Sequence, residues 1–302
     1  MSLVTLGTVA LDNIKTPSGD KNHLLGGSAS HFAMSARLFT KVHLVSVIGE
    51  DFPQKHVTFF KQKGVDITSV IERKGKTFAW YGEYLKGDFN HAITRATELG
   101  VLLTYYPQVA LEHRELPNVF LANFDPEIQM NFLMLMKNSK FVGMDTMNLW
   151  IANKKKAVTK LMKKVDLFIA NDGEAMALTE ETNLIKAVKR LKTMGPKIVV
   201  VKKGEHGVVV YSDKYFFSFP AFPVEKVVDP TGAGDTFAGG LMGYLSKAKK
   251  HDEKTMRKAA IYATTLASFN VEGFGMAKTA PLSLATAHQR MTDYLKFIRP
   301  VS

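Results

Sequence analysis

The chain has 302 residues, of which 46% are hydrophobic and 23% charged, enough length and apolar content to bury the core of one large α/β domain. It contains no cysteine, which excludes disulfide frameworks, thiolate zinc sites, iron–sulfur clusters and cysteine nucleophiles. Forty Lys and Arg against 28 Asp and Glu give a net charge of +12, which we interpret as a basic solvated surface, because the lysines form separate short clusters and no nucleic-acid-reading motif accompanies them.

The first part of the chain alternates apolar strands with helices. Two strands and two helices are predicted at Leu3–Val9, Ser28–Phe39, Val42–Val47 and Phe52–Lys63. A turn-rich stretch runs from Asn13 to Asn22, and Gly26-Gly27 precedes the first helix. This order predicts a parallel sheet covered by helices.

An aromatic segment then interrupts the alternation of strands and helices. Lys76–Tyr84 has the period of a strand, and Phe89–Thr94 is expected to pair with it as an antiparallel insertion. We place Trp80 and Glu83 on the face opposite to Tyr81. The insertion is our candidate for a small lid, formed by about residues 76–104 together with 12–24, within a single domain that spans residues 1–302. Its aromatic side chains would cover a sugar, stack on a nucleobase, form a dimer contact or pack the lid on the core.

The α/β alternation resumes at Val119. Asp125-Pro126-Glu127 has the composition of a helix start, with Asp as the cap and Pro in the first turn. The predicted strands are Val119–Ala122, Lys140–Met144, Asp166–Ala170 and Lys197–Lys202, then a hairpin at Val208–Ser212 and Tyr215–Pro220, and the predicted helices are Gly232–Ser246, Glu253–Asn270 and Ala285–Phe297. No apolar run reaches the length of a membrane span and no signal-peptide pattern opens the chain, so we expect a cytoplasmic protein without a membrane partner.

The segment Asp229-Pro-Thr-Gly-Ala-Gly-Asp235 precedes a long predicted helix and carries the strongest chemical signal. Glycines let the backbone turn tightly and approach a ligand, and the free N–H groups at a helix start bind anions. Asp235 would stand beside this anion site as a base for a nearby hydroxyl group. An anion site next to a base is what phosphoryl transfer to an alcohol requires. Taken alone, the segment is also consistent with a glycine-rich turn capped by aspartates, and it matches neither a P-loop nor the dinucleotide-binding fingerprint.

Asp229–Asp235 resembles the second signature of the ribokinase-like (PfkB) carbohydrate kinases, and further family landmarks follow in order along nearly the whole chain. Gly26-Gly27 is similar to part of the first signature, and Asp12 stands where the family places a carboxylate that binds substrate hydroxyls. Asn171-Asp-Gly-Glu174 resembles the Asn-x-x-Glu motif, and Lys203-Gly-Glu-His-Gly207 resembles the nucleotide loop. The resemblance implies a Rossmann-like three-layer α/β/α fold, of the ribokinase-like type, with a small β-sheet lid.

The resemblance also implies roles for individual residues. Asp235 would be the base, and the N–H groups around Gly232, Ala233 and Gly234 would stabilise the transferred phosphoryl group. The substrate would contact Asp12, Gly26, Gly27 and His31, the last in place of the family's common Asn. The residues implied for the nucleotide are Asn171, Glu174, Lys203, Gly204, Gly207, Thr231, Asn270 and Gly273.

The resemblance implies two metal ions. Mg²⁺ would be held through water by Asn171 and Glu174, and family members often bind a monovalent cation such as K⁺ near Asp229 and Thr231. The residues themselves leave simpler roles open. Asp12 suits a turn or a cap, Asn171 and Glu174 have the spacing of a capping box, and His31 suits a helix cap. Lys202 and Lys203, which end a buried strand, would neutralise a phosphate tail or remain solvated.

We therefore expect an ATP-dependent kinase, with ATP and Mg²⁺ as cofactors, that phosphorylates a hydroxymethyl group of a sugar. A nucleoside kinase with an adenosine-like acceptor and a catalytically idle nucleotide-binding protein are the alternatives. No specific nucleic-acid partner is expected. Because the lid has open strand edges, which often pair between subunits, a homodimer through the lid is a further expectation.

Overall fold

The computed structural model describes residues 2–299. Strands of the first half are β1 (Ser2–Leu6), β2 (Ala10–Thr16), β3 (Gly19–Gly26), β4 (Lys41–Gly49), β5 (Val65–Arg73), β6 (Ala79–Leu85) and β7 (Asp88–Glu98). Strands of the second half are β8 (Asn118–Leu121), β9 (Phe141–Met144), β10 (Leu167–Asn171), β11 (Ile198–Lys202), β12 (Val208–Ser212) and β13 (Phe216–Phe219). The helices are α1 (Ser28–Ala36), α2 (Gln54–Gln62), α3 (Pro126–Leu135), α4 (Asn148–Met162), α5 (Asp172–Thr179), α6 (Leu184–Thr193), α7 (Ala233–Ser246), α8 (Glu253–Asn270) and α9 (Leu284–Ile298).

The larger sheet has the strand order β13-β12-β11-β10-β9-β8-β1-β4-β5. The strands from β11 to β5 are parallel, and β12 and β13 add an antiparallel hairpin at one edge. Successive side chains of a strand point to opposite faces, so apolar runs such as Val199-Val200 feed two separate cores. One core includes Phe32 of α1, which stacks on Phe120 of β8 at 4.5 Å between ring centroids, and the other includes Phe132 of α3. Helices on both faces make the three layers that the sequence predicted.

The smaller sheet has the order β3-β2-β6-β7. Strands β2 and β3 are antiparallel, β2 and β6 are parallel, and β6 and β7 are antiparallel, the pairing expected for the aromatic segment. The prediction for Glu83 was wrong, because β6 keeps a period of two. Asn13 pairs in register with Tyr81 and Lys15 with Glu83, so Tyr81 and Glu83 share one face, while Trp80 lies on the other.

The structure corrects two predictions in the first part of the chain. The first strand ends at Leu6 instead of Val9, and the predicted turn from Asn13 to Asn22 is mostly the β2–β3 hairpin. Strand β3 is exposed along most of its length, so it has no apolar face that the sequence could reveal. Strand β5, a half-buried edge strand, was not predicted at all.

The predictions for the second part agree more closely with the structure. Asp125 caps α3 by accepting from the backbone N–H of Glu127 at 2.9 Å, as its position before Pro126 predicted. Helix α8 has the predicted bounds. Within residues 2–299, none of the helices combines the length and the apolar character that a membrane span requires.

Candidate active site

A buried carboxylate organises the loop before α7. Asp229 accepts from the backbone N–H of Thr231 and from that of Gly275, both at 2.9 Å, and so ties the loop to the turn after α8. Gly232, the residue before the helix, has a φ of 74°, in the left-handed region that favours glycine. The predicted glycine-rich bend is therefore present, and its first aspartate, Asp229, stabilises the bend through hydrogen bonds to the backbone.

The first turn of α7 exposes fewer donors than the sequence suggested. The N–H of Ala233 donates to the carbonyl of Pro230 at 3.1 Å, whereas the N–H of Gly234 donates to no group in the described chain. Asp235 lies in this first turn, at the positive end of the helix dipole. Gly234 and its neighbours thus leave a small anion site beside the carboxyl of Asp235.

Lys202 lies against this anion site. A Cβ atom on Gly234 would stand 2.6 Å from Nζ of Lys202, which places the ammonium group directly over the turn. The same ammonium group favours the ionised form of Glu174 and acts on Asp145 and Asp235. Of the two lysines that end β11, the structure therefore brings Lys202 to the site.

Polar and charged side chains lie together at one edge of the larger sheet. Because β9, β10 and β11 are parallel, Asp145, Asn171 and Lys202 arrive at the same edge from the ends of their strands. Asp145 is buried, and its Oδ1 atom has no hydrogen-bond partner among residues 2–299. Burial and the nearby Asp235 raise its pKa well above the ordinary value. We did not single out Asp145 from the sequence, although its place directly after the apolar strand Phe141–Met144 was a usable signal.

The pKa of Asp235 is raised as well. Although the residue keeps part of its surface exposed, removal of its carboxyl from water raises the pKa, and the positive charge of Lys202 opposes the rise. A carboxylate in this position is a stronger proton acceptor than one in water, and the ammonium group of Lys202 favours its ionised form.

Hydrogen bonds fix the tautomer of His31. The side-chain nitrogen of Asn270 donates to the carbonyl of Thr231 at 2.7 Å, so its oxygen Oδ1 faces His31 and Thr236. Nδ1 of His31, 3.2 Å from that oxygen, must then donate, which leaves Nε2 as an acceptor. Nε2 is buried and has no hydrogen-bond partner among the described residues, and burial lowers the pKa of the imidazole. His31 therefore presents a neutral nitrogen lone pair in the site.

We expected Asp12 to follow the first strand of the larger sheet. It lies instead within β2 of the smaller sheet. Its Oδ2 accepts from the N–H of Gly27 at 3.3 Å, and its Oδ1 is buried with no hydrogen-bond partner in the part of the chain that the structure describes. Gly26 allows this approach, because a Cβ there would lie 1.9 Å from Oδ2. Burial raises the pKa of Asp12 to about 7; the Gly27 N–H opposes this, while Asp229 and Asp235 add to it.

The smaller sheet contacts the loop before α7. The hydroxyl of Thr16 donates to the carbonyl of Val228 at 2.8 Å, and that of Thr231 donates to the hydroxyl of Tyr84 at 3.4 Å. Trp80 and Tyr84 lie on the same face of β6, and the Trp80 ring covers Gly82. The face that carries Asp12 thus also presents an aromatic surface towards the site.

The segments implied for the nucleotide lie at the end of β11 and after α8. Lys203 and Gly207 close a short loop through the N–H of Lys203, which donates to the Gly207 carbonyl at 2.7 Å. A Cβ on Gly204 would stand 2.0 Å from Oδ1 of Asn90, so β7 touches this loop. Gly273 lies in the turn after α8.

Three implied residues already make hydrogen bonds within the protein. The side chain of Asn270 hydrogen-bonds to Thr231, Thr236 and His31, and so it stabilises the bend. Asn171 and Glu174 form the capping box of α5: each side chain accepts from the other's backbone N–H at 2.7 Å.

The oxygen donors at this edge fit Mg²⁺. The charge of Asp235 acts on both Asp145 and Glu174, and that of Glu174 acts on Asp145, so these carboxyl groups lie close together. Mg²⁺ takes few carboxylates and keeps several waters. Burial raises the pKa of Glu174, which a nearby cation would reverse. Asp145 and Glu174 would hold the ion, with Asn171 positioning Glu174.

Comparisons with known proteins identify the family of the chain. The chain matches the family model described as pfkB family carbohydrate kinase over residues 6–282. A cytidine kinase of Thermococcus kodakarensis is 31% identical over 261 residues, which cover 84% of this chain and 91% of that protein.

Solved structures share the fold at lower identity. The nucleoside kinase of Methanocaldococcus jannaschii, described as an archaeal member of the ribokinase family, has a TM-score of 0.78 at 20% identity, covering 97% of this chain and 98% of its own. An E. coli protein described as a ribokinase II, solved with ATP and Mg²⁺, has a TM-score of 0.78 at 19% identity, covering 97% of this chain and 99% of its own. The ribokinase-like α/β fold predicted from the sequence is confirmed.

Replacement of Asp12 by Asn tests its raised pKa. The unfolded chain releases this proton near the ordinary value of 3.8, and the folded chain holds it to about 7. The stability of the natural protein relative to Asp12→Asn should therefore fall as pH rises through that window, by up to about 1.4 kcal/mol per pH unit. Urea unfolding of both proteins across the window measures the difference, and a constant difference contradicts the raised pKa.

Proposed function

The chain belongs to the pfkB family of carbohydrate kinases and is an ATP-dependent kinase, and we propose that its acceptor is the 5′-hydroxymethyl group of a ribonucleoside. One observation carries the choice of a nucleoside over a free sugar. The free Oδ1 of Asp12 lies on the same face of the smaller sheet as the ring of Trp80. A carboxylate suits the two ribose hydroxyls, and an aromatic ring beside it suits a base. The similarity to a cytidine kinase supports this acceptor.

In the proposed mechanism, Asp12 holds the acceptor and Asp235 activates it. Asp235 takes the proton of the 5′-hydroxyl while the oxygen of that hydroxyl bonds to the γ-phosphorus of ATP. The bond between the γ-phosphorus and the bridging oxygen of the β-phosphate breaks, which releases ADP. The Gly234 N–H and the Lys202 ammonium group stabilise charge on the transferred phosphoryl group. Nε2 of His31 accepts from a hydroxyl of the acceptor. Mg²⁺, when bound at Asp145 and Glu174, neutralises charge on phosphate oxygens.

The smaller sheet is the lid in this proposal, within a single kinase domain. Its contacts through Thr16 and Tyr84 to residues 228–231, and through Asn90 to Gly204, hold it over both substrate sites. A closed lid excludes water, which would otherwise compete as the phosphoryl acceptor.

Other expectations from the sequence stay predictions. The monovalent cation would have to use the second lone pairs of Asp229, since each of its oxygens already accepts a backbone N–H. The homodimer would use the edges of the lid, β3 and β7.

Asp235→Asn tests the base. The amide cannot take the hydroxyl proton, so we expect kcat to fall by about 10²–10⁴-fold while ATP still binds. Steady-state phosphoryl transfer and ATP titration measure the two effects, and Asp293→Asn, an exposed residue of α9, is the control. Turnover close to that of the control would remove Asp235 from this role.

Lys202→Met and Lys203→Met form a matched pair. Lys202 lies over Gly234, so its loss should lower kcat by about 10²-fold, whereas the loss of the neighbouring Lys203 should change kcat by less than about threefold. The kcat values of the two variants at saturating ATP decide between them. Equal losses of kcat in the two variants would contradict a specific role for Lys202 and would show that both lysines act only through their positive charge.

A panel of acceptors tests the proposed substrate. We expect ATP-dependent phosphorylation of cytidine and other ribonucleosides with a kcat/KM at least about tenfold above that for ribose or fructose. Trp80→Ala should remove most of this preference, and Tyr81→Ala, on the opposite face, should not. A preference for free sugars would identify a sugar kinase, and ATP binding without transfer to any acceptor would support the idle protein.

A further inference from the structure

A second group of ligating side chains lies away from the active site. His43 is near the start of β4, Asp66 is near the start of β5, and the two residues pair in register. His113 reaches them from a short 3₁₀ helix, Leu111–Glu115. The strands β4 and β5 are parallel to β9–β11, so this group is at the amino edge of the sheet, opposite to the carboxyl edge that holds Asp145 and Lys202.

Three donor atoms of this group form a small triangle. Nδ1 of His43 is 2.9 Å from Nε2 of His113 and 3.2 Å from Oδ2 of Asp66, and Nε2 of His113 is 3.5 Å from the same Oδ2. With metal bonds of about 2.0–2.1 Å, the ligands of a tetrahedral zinc ion are about 3.3 Å apart. The observed triangle therefore has the dimensions of one face of a zinc tetrahedron.

A neighbouring hydroxyl orients one of the imidazoles. Oγ of Ser69 is 2.8 Å from Nδ1 of His113 and accepts from the N–H of Ala110 at 3.0 Å. When Nδ1 of His113 donates to that oxygen, Nε2 carries a lone pair and faces His43 and Asp66. A hydrogen-bonded partner on the far nitrogen is the usual companion of a metal-binding His.

A cation satisfies this triangle better than protons do. With His113 in that tautomer, a neutral His43 contributes at most one N–H to the triangle, which also contains the His113 lone pair and the Asp66 carboxylate. The two acceptors, Nε2 of His113 and Oδ2 of Asp66, are 3.5 Å apart. One N–H group cannot donate well to both of them, whereas a cation at the centre of the triangle would bind both. Two imidazoles and a carboxylate favour zinc over Mg²⁺, which prefers oxygen ligands alone.

We propose that His43, Asp66 and His113 bind one Zn²⁺ ion. The side chains of His43 and His113 are 7% and 2% exposed and that of Asp66 is 22% exposed, so the ion would enter on the Asp66 side and take water as its fourth ligand. The ion joins β4 and the edge strand β5 to the irregular connection that contains Leu111–Glu115. Its role is to hold this connection on the sheet, and it takes no part in phosphoryl transfer.

Zinc titration of untagged, chelator-treated protein tests the proposal. Saturating Mg²⁺ is present to occupy the active-site carboxylates, and a chromophoric chelator competes for Zn²⁺. We expect one Zn²⁺ per chain, a higher Tm with Zn²⁺, and the visible absorption of a tetrahedral site when Co²⁺ replaces Zn²⁺.

Variants separate this group from other zinc-binding residues. Asp66→Asn and His113→Gln should each weaken zinc binding at least about tenfold and abolish the Tm shift, with kinase activity retained. His251→Gln, which removes another half-buried imidazole far along the chain, is the control and should bind as the natural protein does. If His113→Gln does not fold, the partly exposed Asp66→Asn decides. The absence of stoichiometric zinc binding, or equal binding by all variants, would overturn the proposal.

Discussion

The buried carboxylate of Asp229 is the constraint on which the site depends. It accepts two backbone N–H groups, one within its own loop and one from the turn after α8, and so fixes the path by which the chain enters α7. Asn270 adds a second fastening through the Thr231 carbonyl, and it holds His31 through its other atom. The left-handed Gly232 and the free Gly234 N–H follow from this support. A bend that binds charge must be rigid before the ligand arrives, because donors that have to be ordered first lose much of their effect.

Acidic groups accumulate in the site without matching cations. The pKa values of Asp12, Asp145, Glu174 and Asp235 are all raised, mainly by burial and partly by one another. Lys202 opposes the rise at three of them: Asp145, Glu174 and Asp235. Folding therefore brings carboxyl groups together where a Mg²⁺ ion would bring positive charge, and among the described residues Asp12 and Asp145 each keep one buried oxygen without a hydrogen-bond partner.

The sequence predicted much of the site because its strongest signal is local. Asp229–Asp235 contains the bend, the base and the start of α7 within seven consecutive residues, and apolar runs located the buried strands. The sequence failed where the answer depends on long-range contacts. Lys202 and Lys203 are indistinguishable as neighbours on a strand, and only the position of Gly234 separates them. Asn270 looks like a nucleotide contact until its three partners are seen. Strand β3 carries no apolar face, so its existence depends on pairing with β2.

The position of Asp12 on the smaller sheet has a kinetic consequence. The groove for the acceptor is shared between two bodies: one supplies Asp235 and His31, and the other supplies Asp12 and Trp80. In the proposed function, an acceptor that hydrogen-bonds to Asp12 links the smaller sheet to the part of the chain that carries Asp235 and His31. ATP alone does not bind Asp12, so nucleotide bound without acceptor would leave this link between the two bodies unmade. Discrimination against water would then come from the timing of assembly and not from the chemistry of the base.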